Sequence, residues 1–181
     1  MELVLDILVT TVGLAVVGAY AWSGKGHFDS DAMPRGAALL ALMIGGMTVL
    51  CFAMTWLGVQ PLWAQLSGLA VQFLGAGLFV WAISASRAAR LRLVFDPEHP
   101  RSLVETGPYR LVRHPFYVSY IVFWTGWALA TWSLLALAGL VVVVAVYWRA
   151  AQLEETRFAS SPMADIYAAY RGRTGFFWPR P

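Results

Sequence analysis

Charge is scarce in this chain. Of 181 residues only 13% are Asp, Glu, Lys or Arg, where a soluble domain carries about a quarter. That shortage argues against an ordinary water-facing globule, and no nucleic-acid partner is expected. Cysteine is nearly absent: Cys51, between Leu50 and Phe52, excludes an internal disulfide and a Cys-based metal site. It reads as a small buried apolar residue. The histidines are His27, His99 and His114, without ligand spacing, so no metal site is expected. No P-loop and no dinucleotide fingerprint occurs; "SGKGH" at 23–27 lacks both the spacing and a preceding strand.

What is abundant is oil. Apolar residues make up 59% of the chain, gathered into blocks of roughly membrane length. Five can be marked, at 3–22, 37–57, 62–84, 116–131 and 134–148. The first three match the ~20 residues a helix needs to cross hydrocarbon. The last two are shorter and suit a tilted hairpin turning through "TWS" at 131–133. The first block begins with Glu2 and Asp6 and has no small-residue cleavage pattern, so it reads as a retained helix, not a signal peptide.

The basic residues orient these blocks. All thirteen Lys and Arg fall in the 23–36 loop, the 87–113 loop, or from Arg149 onward. The positive-inside rule places those three segments on the cytoplasmic side, with the N-terminus outside and the C-terminus inside. The expected fold is therefore an all-α integral membrane protein of five transmembrane helices. It divides into three N-terminal helices over 1–86 and a part over 87–181 that holds the polar chemistry. Glycines along the blocks allow close helix approach, and Trp22, Trp56, Trp63, Trp132, Tyr147 and Trp148 read as interface anchors.

Two polar segments stand out. "GPYRLVRHPFY" at 107–117 puts two arginines, a histidine and two tyrosines at the mouth of the fourth helix. Pro115 suits a helical first turn, His114 sits near the N-cap, and the free N–H groups of that turn favour an anion. Upstream, "DPEHP" at 96–100 is a rigid turn stretch. After the fifth block come Glu154 and Glu155, which oppose the dipole at a helix C-terminus unless something holds them. "IYAAYRGRTGFFW" beyond them reads as a segment lying along the membrane face. Arg110, Arg113 and Arg149 could serve topology and lipid phosphate alone. A cytoplasmic pocket for a zwitterionic, aromatic, cationic small molecule explains the glutamates and tyrosines as well.

"L-V-x-T-G-P-Y-R-x-V-R-H-P-x-Y" at 103–117, followed by a helical hairpin, a Glu-Glu pair and "Y-x-x-Y", resembles the isoprenylcysteine carboxyl methyltransferase family over about 94–181. That family shares a superfamily with the phospholipid methyltransferases. The resemblance implies an integral membrane methyltransferase using S-adenosyl-L-methionine and releasing S-adenosyl-L-homocysteine. Its cofactor contacts would be Leu103, Val104, Tyr109, Arg113, His114, Pro115, Tyr117 and Glu154, with Arg149 and Glu155 in catalytic roles. The sequence departs from the family at Arg101, where relatives have His, and at Ala150, where they place a substrate-contacting Arg. The implied acceptor is a lipophilic or prenylated substrate methylated on a carboxylate. Phospholipid amine methylation, small-thiol methylation and a non-catalytic scaffold remain open. The implied location is a prokaryotic inner membrane, among membrane lipids, with the site facing the cytoplasm.

Overall fold

The computed structural model describes residues 2–25, 35–94, 103–160 and 162–180. The "DPEHP" stretch, Arg101, His27, His99 and most of the first basic loop lie outside them. Six α-helices occur among the described residues: α1 Glu2–Lys25, α2 Arg35–Leu57, α3 Leu62–Val94, α4 Pro115–Thr131, α5 Leu134–Ala159 and α6 Ala164–Arg173. There are no strands among them, only an isolated bridge between Val112 and Gly175. An all-α membrane protein is the result. Hydrocarbon leaves a spanning backbone no partner but itself, so apolar blocks of this length must coil.

Four helices are long and apolar enough to cross a membrane, over Glu2–Ser23, Ala38–Leu57, Leu62–Arg87 and Leu134–Ala159. Their outward residues are oil: Leu42 is 73% exposed and Leu134 84%. The fourth expected crossing, α4, has 17 residues, about 26 Å at 1.5 Å per residue, the short end of the range for a membrane-crossing helix. Two helices outrun their apolar blocks: α3 reaches Val94 and α5 reaches Ala159. Both extensions are polar, and a hydropathy pattern ends where the oil ends although the backbone keeps coiling.

The chain forms two compact units. The first comprises 1–74 and 121–145. Its helices touch through glycine. A Cβ on Gly68 would stand 2.5 Å from the Ala130 nitrogen and the Gly126 oxygen, and one on Gly126 would stand 2.5 Å from the Gln72 nitrogen. The α3 and α4 backbones therefore meet directly, the close approach that small residues permit in lipid. Polar side chains knit the interior. Trp56 Nε1 donates to Thr10 Oγ1 at 3.1 Å, and Gln65 Nε2 to Asp6 Oδ1 at 2.5 Å. The Gln60 amide donates to Met54 O, which also accepts from Gly58 N, and to Thr55 O, tying down the end of α2. The "TWS" turn is tight: Trp132 adopts φ 47°, and Leu137 N bonds Ser133 O at once to start α5.

The second unit comprises 75–120 and 146–181. Gly107 opens a single 3₁₀ turn, Gly107–Arg110, at φ 60°, where a Cβ would stand 2.9 Å from Ala85 Cβ. Both the left-handed backbone and the lack of room require glycine there. Phe79 packs its ring against Phe116 and Tyr120. The segment after α5 packs against the rest of the second unit. Tyr167 and Tyr170 of α6 are buried, the Tyr167 ring stacks on Phe158 at 4.7 Å, and Tyr170 Oη donates to Tyr109 O at 2.7 Å.

Candidate active site

The site is assembled inside the second unit, where α4 begins. Pro115 is the first residue of α4 and His114 precedes it, with Val118 N bonded to His114 O at 3.1 Å. Proline fits there because the first-turn N–H it lacks would have had no helical partner. The segment before it is clamped by the C-terminal tail. Gly175 N donates to Leu111 O at 3.1 Å, and Arg113 N donates to Gly175 O at 2.8 Å. A side chain on Gly175 would strike the Trp178 carbonyl, so this fold-back also depends on glycine.

The clamp aims Arg113 inward. Its Nε donates to Glu155 Oε1 at 2.6 Å, with the two side chains only 8% and 12% exposed. Its Nη1 donates to Thr174 O at 2.5 Å and to Arg171 O at 3.4 Å. Its guanidinium carbon lies 5.6 Å from the centre of the Phe176 ring. A buried charge is tolerable when paired and hydrogen-bonded on several sides, and Arg113 is.

His114 stands between the two glutamates. Its Nε2 is 3.3 Å from Glu155 Oε1 and its Nδ1 is 3.6 Å from Glu154 Oε2. The imidazole is buried, whereas the Glu154 side chain is 46% exposed. Glu155 is thus taken up by Arg113 and His114, and Glu154 presents its carboxylate outward. Neither glutamate is at a helix end, since α5 continues to Ala159. The partners that hold this acidic pair in place are Arg113 and His114, with Arg171 Nε 3.7 Å from the other Glu155 oxygen.

Aromatic rings surround the carboxylates. His114 lies 5.7 Å from the Tyr117 ring and 5.0 Å from Phe176. Tyr117 packs on buried Tyr147 at 5.6 Å, and Trp148 meets Phe176 and Phe177. Burial, and then the negative charge of Glu154, push the Tyr109 phenol above its ordinary value. Burial followed by Glu155 does the same to Tyr167. Both phenols stay neutral and can donate a hydrogen bond.

Of the residues singled out in the sequence, Arg113, His114, Tyr117, Glu154 and Glu155 come together, with Tyr109 close enough to feel the charge of Glu154. Leu103 and Val104 are half-buried in the segment leading to the 3₁₀ turn. Arg149 stays outside the cluster: it is exposed, and its Nη1 donates to Gln152 Oε1 at 3.3 Å. The sequence reading did not single out Arg171, Thr174, Gly175 or Phe176. The glycine in "RTGFF" was the available signal, since it marks a place where a backbone approaches closely.

A cofactor with an adenine ring, a sulfonium and an amino-acid end needs flat apolar surfaces, an acceptor for its ammonium and donors for its carboxylate. The donor set fits that group: Glu154 supplies the outward carboxylate, and Tyr117, Phe176 and Trp148 supply rings. The first turn of α4 and the neutral phenols supply donors.

A family model described as phospholipid methyltransferase matches residues 63–169. The chain belongs to that family, part of the superfamily that also holds the isoprenylcysteine carboxyl methyltransferases, and its membership supports a membrane methyltransferase. The cobalt-zinc-cadmium resistance protein CzcN of Cupriavidus metallidurans is 38% identical over 79 residues, 44% of this chain and 36% of that protein. The chain thus spans about a third of the length of this curated relative. No solved structure matches.

Proposed function

We propose that the protein transfers a methyl group from S-adenosyl-L-methionine to a lipophilic acceptor, most like the carboxylate of a prenylated cysteine. The observation that carries this reading is the convergence of Arg113, His114, Glu154 and Glu155 at the start of α4. When bound, the cofactor supplies an activated methyl group, so the protein needs to provide only alignment and dryness.

The residues divide that work. Glu155 fixes Arg113 and His114, and so sets the shape of the chamber wall. Glu154 holds the ammonium end of the donor, Tyr117 and Phe176 cover its flat part, and Tyr109 donates from the turn. Leu103, Val104 and Pro115 line the chamber with apolar surface. Arg149, exposed one turn and a half before Glu154 on α5, is the guanidinium that would hold an incoming carboxylate. A carboxylate acceptor is already ionised at neutral pH and needs no general base. The site faces the cytoplasm, the catalytic part is 87–181, and the membrane is a prokaryotic inner membrane.

Membership of the phospholipid methyltransferase family favours a second reading, in which the acceptor is a phosphatidylethanolamine amine. That amine must lose a proton first, a task for Glu155 or Tyr117. Methyl transfer measured with a prenylated cysteine analogue, phosphatidylethanolamine and methanethiol separates the readings. Product from the first alone supports the carboxyl reading, and product from the second alone replaces it. Calorimetry should show S-adenosylhomocysteine binding that Arg113→Ala abolishes; an unchanged dissociation constant would remove Arg113 from the chamber.

A further inference from the structure

We infer that the cleft lined by Arg113, Arg171 and Arg180 binds a phosphate group, at a place distinct from the proposed cofactor chamber. The cleft is a wide, open depression of about 490 Å³. His114, Tyr117 and Glu154 do not line it; Arg113 and Phe176 belong also to the proposed chamber, and Arg171, Thr174 and Gly175 to the clamp that aims Arg113.

Three guanidinium groups line this cleft, and one carboxylate answers them. Glu155 lies 2.6 Å from Arg113 Nε and 3.7 Å from Arg171 Nε. Among the described residues no other carboxylate stands within ion-pair distance of the three. Like charges gathered in this way repel unless an anion offsets them. The arrangement is also fixed in advance. Arg180 Nη1 donates to Gly172 O at 2.8 Å and to Arg171 O at 3.3 Å, the carbonyl that also receives Arg113 Nη1 at 3.4 Å. A guanidinium tethered through one nitrogen keeps its remaining N–H groups for a ligand, and the planar fork suits an oxyanion.

The charge count selects the anion. Glu155 neutralises one of the three cations, and the remaining pair matches a group carrying about −1 to −2. A phosphate has that charge and enough oxygens to reach several guanidiniums, whereas a carboxylate is satisfied by a single arginine fork. Trp178, 79% exposed, also lines the cleft. A bare indole beside arginines suits the headgroup layer, so the phosphate could come from a lipid as readily as from solution.

The test uses the full chain in detergent and phosphate-free buffer, titrated in a calorimeter with inorganic phosphate and, separately, with phosphatidic acid in mixed micelles. Saturable binding of inorganic phosphate identifies a soluble source, and saturation by phosphatidic acid alone identifies a lipid. In either case Arg180→Ala should weaken binding at least tenfold, Arg180→Lys should weaken it less, and the far-ultraviolet circular dichroism should not change. Should Arg180→Ala not fold, Arg171→Ala, altering a side chain 61% exposed, makes the same comparison. The inference is overturned if neither probe saturates the wild-type protein, or if both alanine variants bind as tightly as wild type.

Discussion

Arg113 and Glu154 make opposite demands on their surroundings, which allows structure and chemistry to be separated by mutation. Arg113 and Glu155 are a buried pair, so Arg113→Ala leaves the carboxylate only His114 and the more distant Arg171 and should lower the unfolding free energy by about 3 kcal/mol, read from thermal unfolding in detergent. Glu154 is half exposed, so Glu154→Gln should leave stability within about 0.5 kcal/mol while methyl transfer falls sharply. Full turnover in that variant would remove Glu154 from the proposed site. Tyr170 offers a third probe. Burial pushes its phenol up to about 12 from an ordinary 10, so it stays a donor to Tyr109 O through the physiological range. The neutral form is the one the fold favours. This stability is fully present below pH 10 and is lost as pH climbs toward 12, and Tyr170→Phe, which removes the hydrogen bond at about 1 kcal/mol, should blunt that alkaline loss. That the entry of α4 and the glutamates of α5 belong to one place was legible, because charged residues beside an apolar run need a reason to be there; that Arg113 bonds Glu155 directly was not. The contact between Gly175 and Leu111 was not, because a backbone bridge leaves no pattern in side chains.

Among the helices, α3 and α4 depend on a point where neither can bear a side chain. Gly126→Val should place its branched Cβ against the α3 backbone and cost about 1–3 kcal/mol by overpacking, measured as a lowered unfolding midpoint. The glycines were visible in the sequence as permission for close approach, but which pairs would touch was not, since helices rich in glycine offer many registers. Helix ends were legible to different degrees. The start of α4 followed from Pro115 and the turn before α5 from "TWS". The end of α5 was placed at Trp148 by its apolar run, and eleven further residues coil because "RAAQLEETRFA" is rich in strong helix formers. The same extension turned an apparent pair of glutamates after a helix into a pair on its flank. Within the aromatic tail, Tyr167 and Tyr170 are spent inside the protein.

For the whole chain, the distribution of basic residues predicts a definite sidedness. The turn around Val59 should face out and Ser160 should face the cytoplasm. Cys51 is the lone native thiol and is buried, so Val59→Cys and Ser160→Cys each give a clean report: an impermeant maleimide applied outside intact cells should label the first and spare the second. Equal labelling would undo the orientation. The long α5 has one more consequence. From Leu140 to Ala159 it contains neither glycine nor proline, the usual causes of a bend, so it acts as a stiff rod with solvent-oily flanks at one end and Glu154 and Glu155 near the other. Thickening or thinning the surrounding bilayer changes the slant of such a rod. Acyl-chain length should therefore act as a throttle on the proposed methyl transfer, with turnover peaking at one lipid thickness and declining on either side.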